Sequence, residues 1–112
     1  VKYYLNEDKT YRPAELMEWA EQFEYMDRHV GNDMIEGKHV STVWLGIDHG
    51  FMGGDPLVFE TMVFSEHDPW TDIYMDRYST WHEAVAGHQK AIEWVLAIKS
   101  YEELNPKDKY ER

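Results

Sequence analysis

Two stretches of this chain, His39–Ile47 and Leu57–Phe64, are rich in β-branched and aromatic residues, and both carry apolar side chains at odd and even positions alike. Side chains alternate across a strand, so Val43, Leu45 and Ile47 share one face of the first stretch, with Thr42 and Trp44 on the other. In the second, Leu57, Phe59 and Val63 stand opposite Val58, Met62 and Phe64. A strand that is apolar on both faces belongs in the middle of a sheet, or has one face covered by a partner. The glycine-containing segment from Asp48 to Pro56 joins the two as a long hairpin loop. Arg28–Ile35 and Ile73–Tyr78 then become the outer strands of an antiparallel meander.

Helical signals flank this sheet. Pro13 suits the first position of a helix, where its missing N–H costs nothing, and Leu16, Trp19, Phe23 and Met26 recur at helical spacing behind it. Thr80-Trp81-His82-Glu83 has the form of a capping box, followed by a stripe of Trp81, Val85, His88, Ile92 and Val95 running to about Lys99. Tyr3–Leu5 reads as a short strand, and Asn105 to Arg112 as a polar, frayed tail. With 112 residues there is room for one domain. The expected fold is α+β, a single domain over 1–112, with an antiparallel sheet of about four strands and two helices packed on one face.

Charge narrows the function. The 22 acidic residues exceed the 11 basic ones and leave a formal charge of −11, which speaks against direct binding to nucleic acid or to an anionic membrane surface. No cysteine is present, so disulfides, thiolate catalysis and cysteine-ligated metals are excluded. No apolar run approaches the roughly 20 residues that span a bilayer, and no signal-peptide pattern opens the chain, which predicts a cytoplasmic protein.

The acids are also unevenly placed. From His39 to Asp76 there is no lysine or arginine, while Asp48, Asp55, Glu60, Glu66, Asp68, Asp72 and Asp76 fall in that run. The first helix repeats the pattern with Glu15, Glu18, Glu21 and Glu24. An acidic surface of this kind suits a basic partner and raises imitation of nucleic acid as one reading. Glutamates three apart give one charge per about 4.5 Å of helix axis, against one per about 1.7 Å in duplex DNA. Mimicry therefore needs the Asp48–Asp76 acids on the same side as the helix.

Sites of reaction chemistry are weakly signalled. His82 and His88 are six apart and do not share the face that helical metal ligation requires; His88, central in an apolar stripe, reads as a hydrogen-bonded core residue. Asp48, His49, Asp55, His67 and Asp68 could converge from loops on a divalent ion. Gly50 to Gly54 lacks the lysine of a phosphate-binding loop, and no serine sits in a nucleophile elbow. No catalytic residue, metal ligand or cofactor is therefore assigned. Among the aromatics, Trp44, Trp70 and Trp94 are candidates for a protein-binding surface, where tryptophan acts as an anchor.

Val40–His49 followed by Pro56–Phe64 resembles a group of small bacteriophage proteins common in phages of actinobacteria, and Arg77–Thr80, Glu83-Ala84 and Gly87-His88 resemble the same group's C-terminal half. The resemblance implies a phage origin and carries no catalytic residues. The expected function is that of a phage accessory protein acting in the host cytoplasm, binding a basic host protein, such as a nucleic-acid-binding defence protein that it inhibits. The contact residues would be Glu15, Glu18, Glu21, Glu24 and Trp44, with Asp48, Asp55, Trp70, Asp72 and Trp94. Two alternatives stand beside it: a small metal-dependent or nucleotide-binding enzyme, and a structural protein whose second sheet face is buried in a homodimer.

Overall fold

The computed structural model describes residues 1–50 and 53–105, and residues 68–72 by their backbone alone. The tail beyond Asn105 lies outside the described residues. In chain order the elements are β1 (Tyr3–Leu5), β2 (Tyr11–Pro13), α1 (Leu16–Tyr25), β3 (His29–Ile35), β4 (Lys38–Trp44), β5 (Phe59–Ser65), β6 (Asp68–Tyr78) and α2 (Trp81–Leu104). Strands β3 to β6 form an antiparallel meander in sequence order. The two strands that are apolar on both faces are its central pair, as their composition predicts. The class is α+β, with a helix packed on the sheet.

The covering helix is α2, which lies across all four strands. Thr80 caps it: the Glu83 amide donates to the threonine hydroxyl at 3.0 Å, and that hydroxyl donates to the Glu83 carboxylate at 3.0 Å. The buried side of α2 is Ala84, Gly87, His88, Ala91 and Val95, whereas Val85 is 48% exposed. The expected stripe is thus rotated about one position. Small residues explain the rotation, because they let the helix settle close to the strands. A Cβ on Gly87 would stand 2.2 Å from the Tyr78 ring.

Beneath α2 the core comes in layers. Leu5, Trp44, Val58, Phe59, Tyr78 and Ala84 make one buried cluster, and Val40, Val63, Ala91 and Val95 make another. Between them in register lie Thr42 and Thr61, paired across β4 and β5 and fully buried.

The N-terminal part is a second, smaller sheet. Pro13 ends β2 opposite Tyr3 and does not start the helix, which begins at Leu16. Strand β2 escapes sequence detection because it is three residues long and two of them, Arg12 and Pro13, are exposed. Helix α1 packs beside β1: Gln22 both accepts from the Leu5 amide at 2.9 Å and donates to the Leu5 carbonyl at 2.8 Å. The Trp19 indole donates to the Gly46 carbonyl at 3.1 Å, tying α1 to the end of β4. No helix among the described residues is long and apolar enough to cross a membrane.

Candidate functional site

Helix α1 buries none of its residues completely. Two of its glutamates serve the helix itself. Glu15 is its N-cap, and Glu18 accepts the Glu15 amide at 2.9 Å while its carboxylate takes the Arg12 guanidinium fork at 2.8 and 3.0 Å. The Arg12 bonds, reinforced by the Glu15 amide, lower the Glu18 pKa to about 2. Glu21 and Glu24 are exposed and make no ion pair among the described residues. Beside them Leu16, Met17 and Tyr25 are exposed, Met17 by 77%. An acidic and apolar strip thus faces solvent on one short helix.

The acids of the basic-free run do not join that strip as a group. Asp48 folds its own loop: its carboxylate accepts the Leu57 amide at 2.9 Å and the Gly50 amide at 2.7 Å, and these two bonds lower its pKa. Glu60 is buried and takes Arg77 at 2.8 Å. Asp55 is exposed in the same loop as Asp48. The side chains of Trp70 and Asp72 lie outside the described residues. His49 Nδ1 is bonded to the Ile47 carbonyl at 2.9 Å, and no group of three or more His, Asp or Glu converges among the described residues.

Of the tryptophans, Trp44 corrects the expectation most clearly. It is 1% exposed, packed on Phe59 and Tyr11 with ring centroids 5.1 and 5.5 Å away, and it is a core residue with no surface to offer. Its strand face turned out to be the one under α2. Trp94 is half-buried against Tyr74, with centroids 5.1 Å apart, and so packs on the edge strand β6.

The second face of the meander is uncovered among the described residues. Alternation and register put Met34, Val43, Met62, Phe64 and Met75 on it, together with Asn32, His39 and Ser41 and, between β5 and β6, the Glu60–Arg77 pair. Among the described residues no element packs over this face, and Met34 and Met75 are 65% and 47% exposed. The apolar composition of both strand faces pointed to this side; Met34 and Met75 were missed because outer strands carry mixed sequences.

The polar layer under α2 is a connected chain. His88 Nε2 bonds Asp33 at 2.6 Å and its Nδ1 bonds Thr42 at 2.7 Å; Thr42 bonds Thr61 at 2.6 Å, and the Tyr78 hydroxyl donates to Thr61 at 3.1 Å. With Nε2–H given to the Asp33 carboxylate, Nδ1 accepts from Thr42, Thr42 from Thr61, and Thr61 from Tyr78. Each bond then has its own proton, which assigns the tautomer from the network. The ring lies directly on Gly31, where a Cβ would come within 2.6 Å. Burial raises the Tyr78 pKa against the opposing effect of its bond to Thr61. Carboxylate, imidazole and hydroxyl stand here in the order of a nucleophilic triad, but Thr42 is fully buried, so no substrate reaches its hydroxyl. The chain satisfies a buried polar layer, and His88 is the hydrogen-bonded core residue that its position predicts.

Comparison with protein-family models, with curated proteins and with solved structures found no match to this chain.

Proposed function

We propose that this is a phage-encoded accessory protein that acts in the host cytoplasm by binding a host protein with a basic surface, and that α1 presents the contact. The observation that carries this reading is the outward strip of α1. Leu16, Met17 and Tyr25 are exposed beside Glu21 and Glu24, and those two glutamates have no counter-ion among the described residues. Large exposed apolar side chains supply anchors at an interface, and unpaired acids around them steer a basic partner into place. A nucleic-acid-binding defence protein, inhibited by occupation of its basic site, is the natural complement by charge. Imitation of nucleic acid by the whole acidic run has less support, since Asp48 and Glu60 are already engaged.

Glu21 and Glu24 are the residues to test, because Glu18 also holds Arg12 and the first turn of α1. Replacing both by lysine takes the formal charge from −11 to −7, two for each position. A partner captured from host lysate should then associate more slowly with Glu21→Lys/Glu24→Lys, less so with the glutamine pair, and raised salt should slow the wild type similarly. Met17→Ala should speed dissociation. Unchanged kinetics in all three variants, with folding intact, would remove α1 as the contact.

A further inference from the structure

We infer that the open face of the meander is where two copies of this chain meet, sheet on sheet. The inference is independent of the role given to α1. Its first support is charge. The chain carries −11, so two copies repel wherever their acidic surfaces face each other. On the open face Glu60 and Arg77 neutralise each other at 2.8 Å, and His39 is hydrogen-bonded to Asn32, so no unpaired carboxylate stands among them. That face therefore lets a second copy approach without setting like charges together. It offers a basic partner nothing, because the carboxylate of Glu60 is already taken.

The second support is composition and shape. Three of the chain's six methionines, Met34, Met62 and Met75, stand here with Val43 and Phe64. Flexible, polarizable thioethers adapt to an identical surface related by a two-fold axis. Two twisted sheets pack face to face about 10 Å apart through interdigitating side chains of this kind.

Size sets the strength of the contact. Four strands about 4.8 Å apart, three of them seven residues long at about 3.3 Å each, share a patch roughly 15–20 Å by 23 Å. Its plan area of about 400 Å², before side-chain relief is added, falls below the roughly 600–800 Å² of accessible surface that a stable interface takes from each partner, which makes this a weak association. The dimer is accordingly reversible and grows with concentration.

Sedimentation equilibrium of the full chain over a range of concentrations tests this. The expected mass rises from 13.4 kDa toward twice that value, and added salt preserves or strengthens the dimer by screening the repulsion between the copies. Met34→Glu and Met75→Glu lie on opposite edge strands at exposed positions, so each should fold and each should hold the protein at the monomer mass. Leu96→Glu, exposed on α2, should leave the dimer unchanged. A wild type that stays monomeric at its highest soluble concentration would overturn the inference. So would a dimer that survives both methionine substitutions with folding intact, one abolished by Leu96→Glu, or one that salt dissociates. The salt response also separates this face from α1, whose partner salt weakens.

Discussion

Replacing Gly87 by alanine sets two physical effects against each other with opposite signs. Inside a solvated helix the change stabilises by about 0.8–1 kcal/mol, because glycine is the poorer helix former. Here the new Cβ would stand 2.2 Å from the Tyr78 ring and its hydroxyl oxygen, so helix or ring must move. The ring is held in the core cluster with Trp44 and Phe59, and overpacking of that kind costs about 1–3 kcal/mol. Moving it also lengthens the Tyr78–Thr61 bond, whose loss costs about 0.5–1.5 kcal/mol. Weighed against the propensity gain, a net loss of about 1–3 kcal/mol is expected. For a domain of this size that is a fall in Tm of roughly 5–20 °C. Urea unfolding followed by circular dichroism measures it, with Gln89→Ala on the exposed side of α2 as a control that should change little. A Gly87→Ala protein as stable as wild type, or more so, would refute the close seating of α2 on β6.

Two further outcomes follow from the polar contacts. His88→Ala removes the central link between Asp33 and Thr42 and leaves a cavity over Gly31, so the urea midpoint should drop by the equivalent of about 2–4 kcal/mol; a loss under about 1 kcal/mol would mean the layer is not a working network. Glu18 has a pKa lowered from 4.5 to about 2 in the folded chain, so its stabilising bonds are fully present above pH 4.5 and disappear as pH falls through about 2. The Trp19 indole signal in NMR should report loosening of α1 over that window, with the same loosening already present at neutral pH in Glu18→Gln.

The meander was legible because its central strands carry apolar residues on both faces, a pattern that suits the middle of a sheet. The start of α2 was equally plain, since Thr80 and Glu83 satisfy the free amides by themselves and need no tertiary help. The face of α2 was misread for a reason that lies in packing. Periodicity weights large apolar residues, but a helix pressed onto a sheet buries its smallest ones, and Ala84, Gly87 and Ala91 carry too little hydrophobicity to mark a stripe. Pro13 misled in a similar way: its fixed φ suits a helix start and an edge strand equally, and the choice was made by pairing with Tyr3.

The candidate surface was harder to read, because a charge count does not reveal where a carboxylate's bonds go. Glu18, Asp48 and Glu60 look alike in sequence as members of acidic runs, yet Arg12, two loop amides and Arg77 each claim one of them. Glu21 and Glu24 differ in lacking such a neighbour among the described residues. Trp44 was misplaced by the same kind of symmetry, since a strand apolar on both faces does not say which face the helix will cover. The answer came from Gly31, Thr42 and Thr61, small or hydroxylated residues that make room and hydrogen bonds for His88. Covering the side that holds Thr42 and Thr61 brings two buried hydroxyls to His88, and it leaves to the open side the methionines, the bonded His39 and Asn32, and a self-neutralised ion pair, groups that tolerate water until another surface arrives. The division of polar groups between the two faces thus decides both the position of α2 and the character of the surface left exposed.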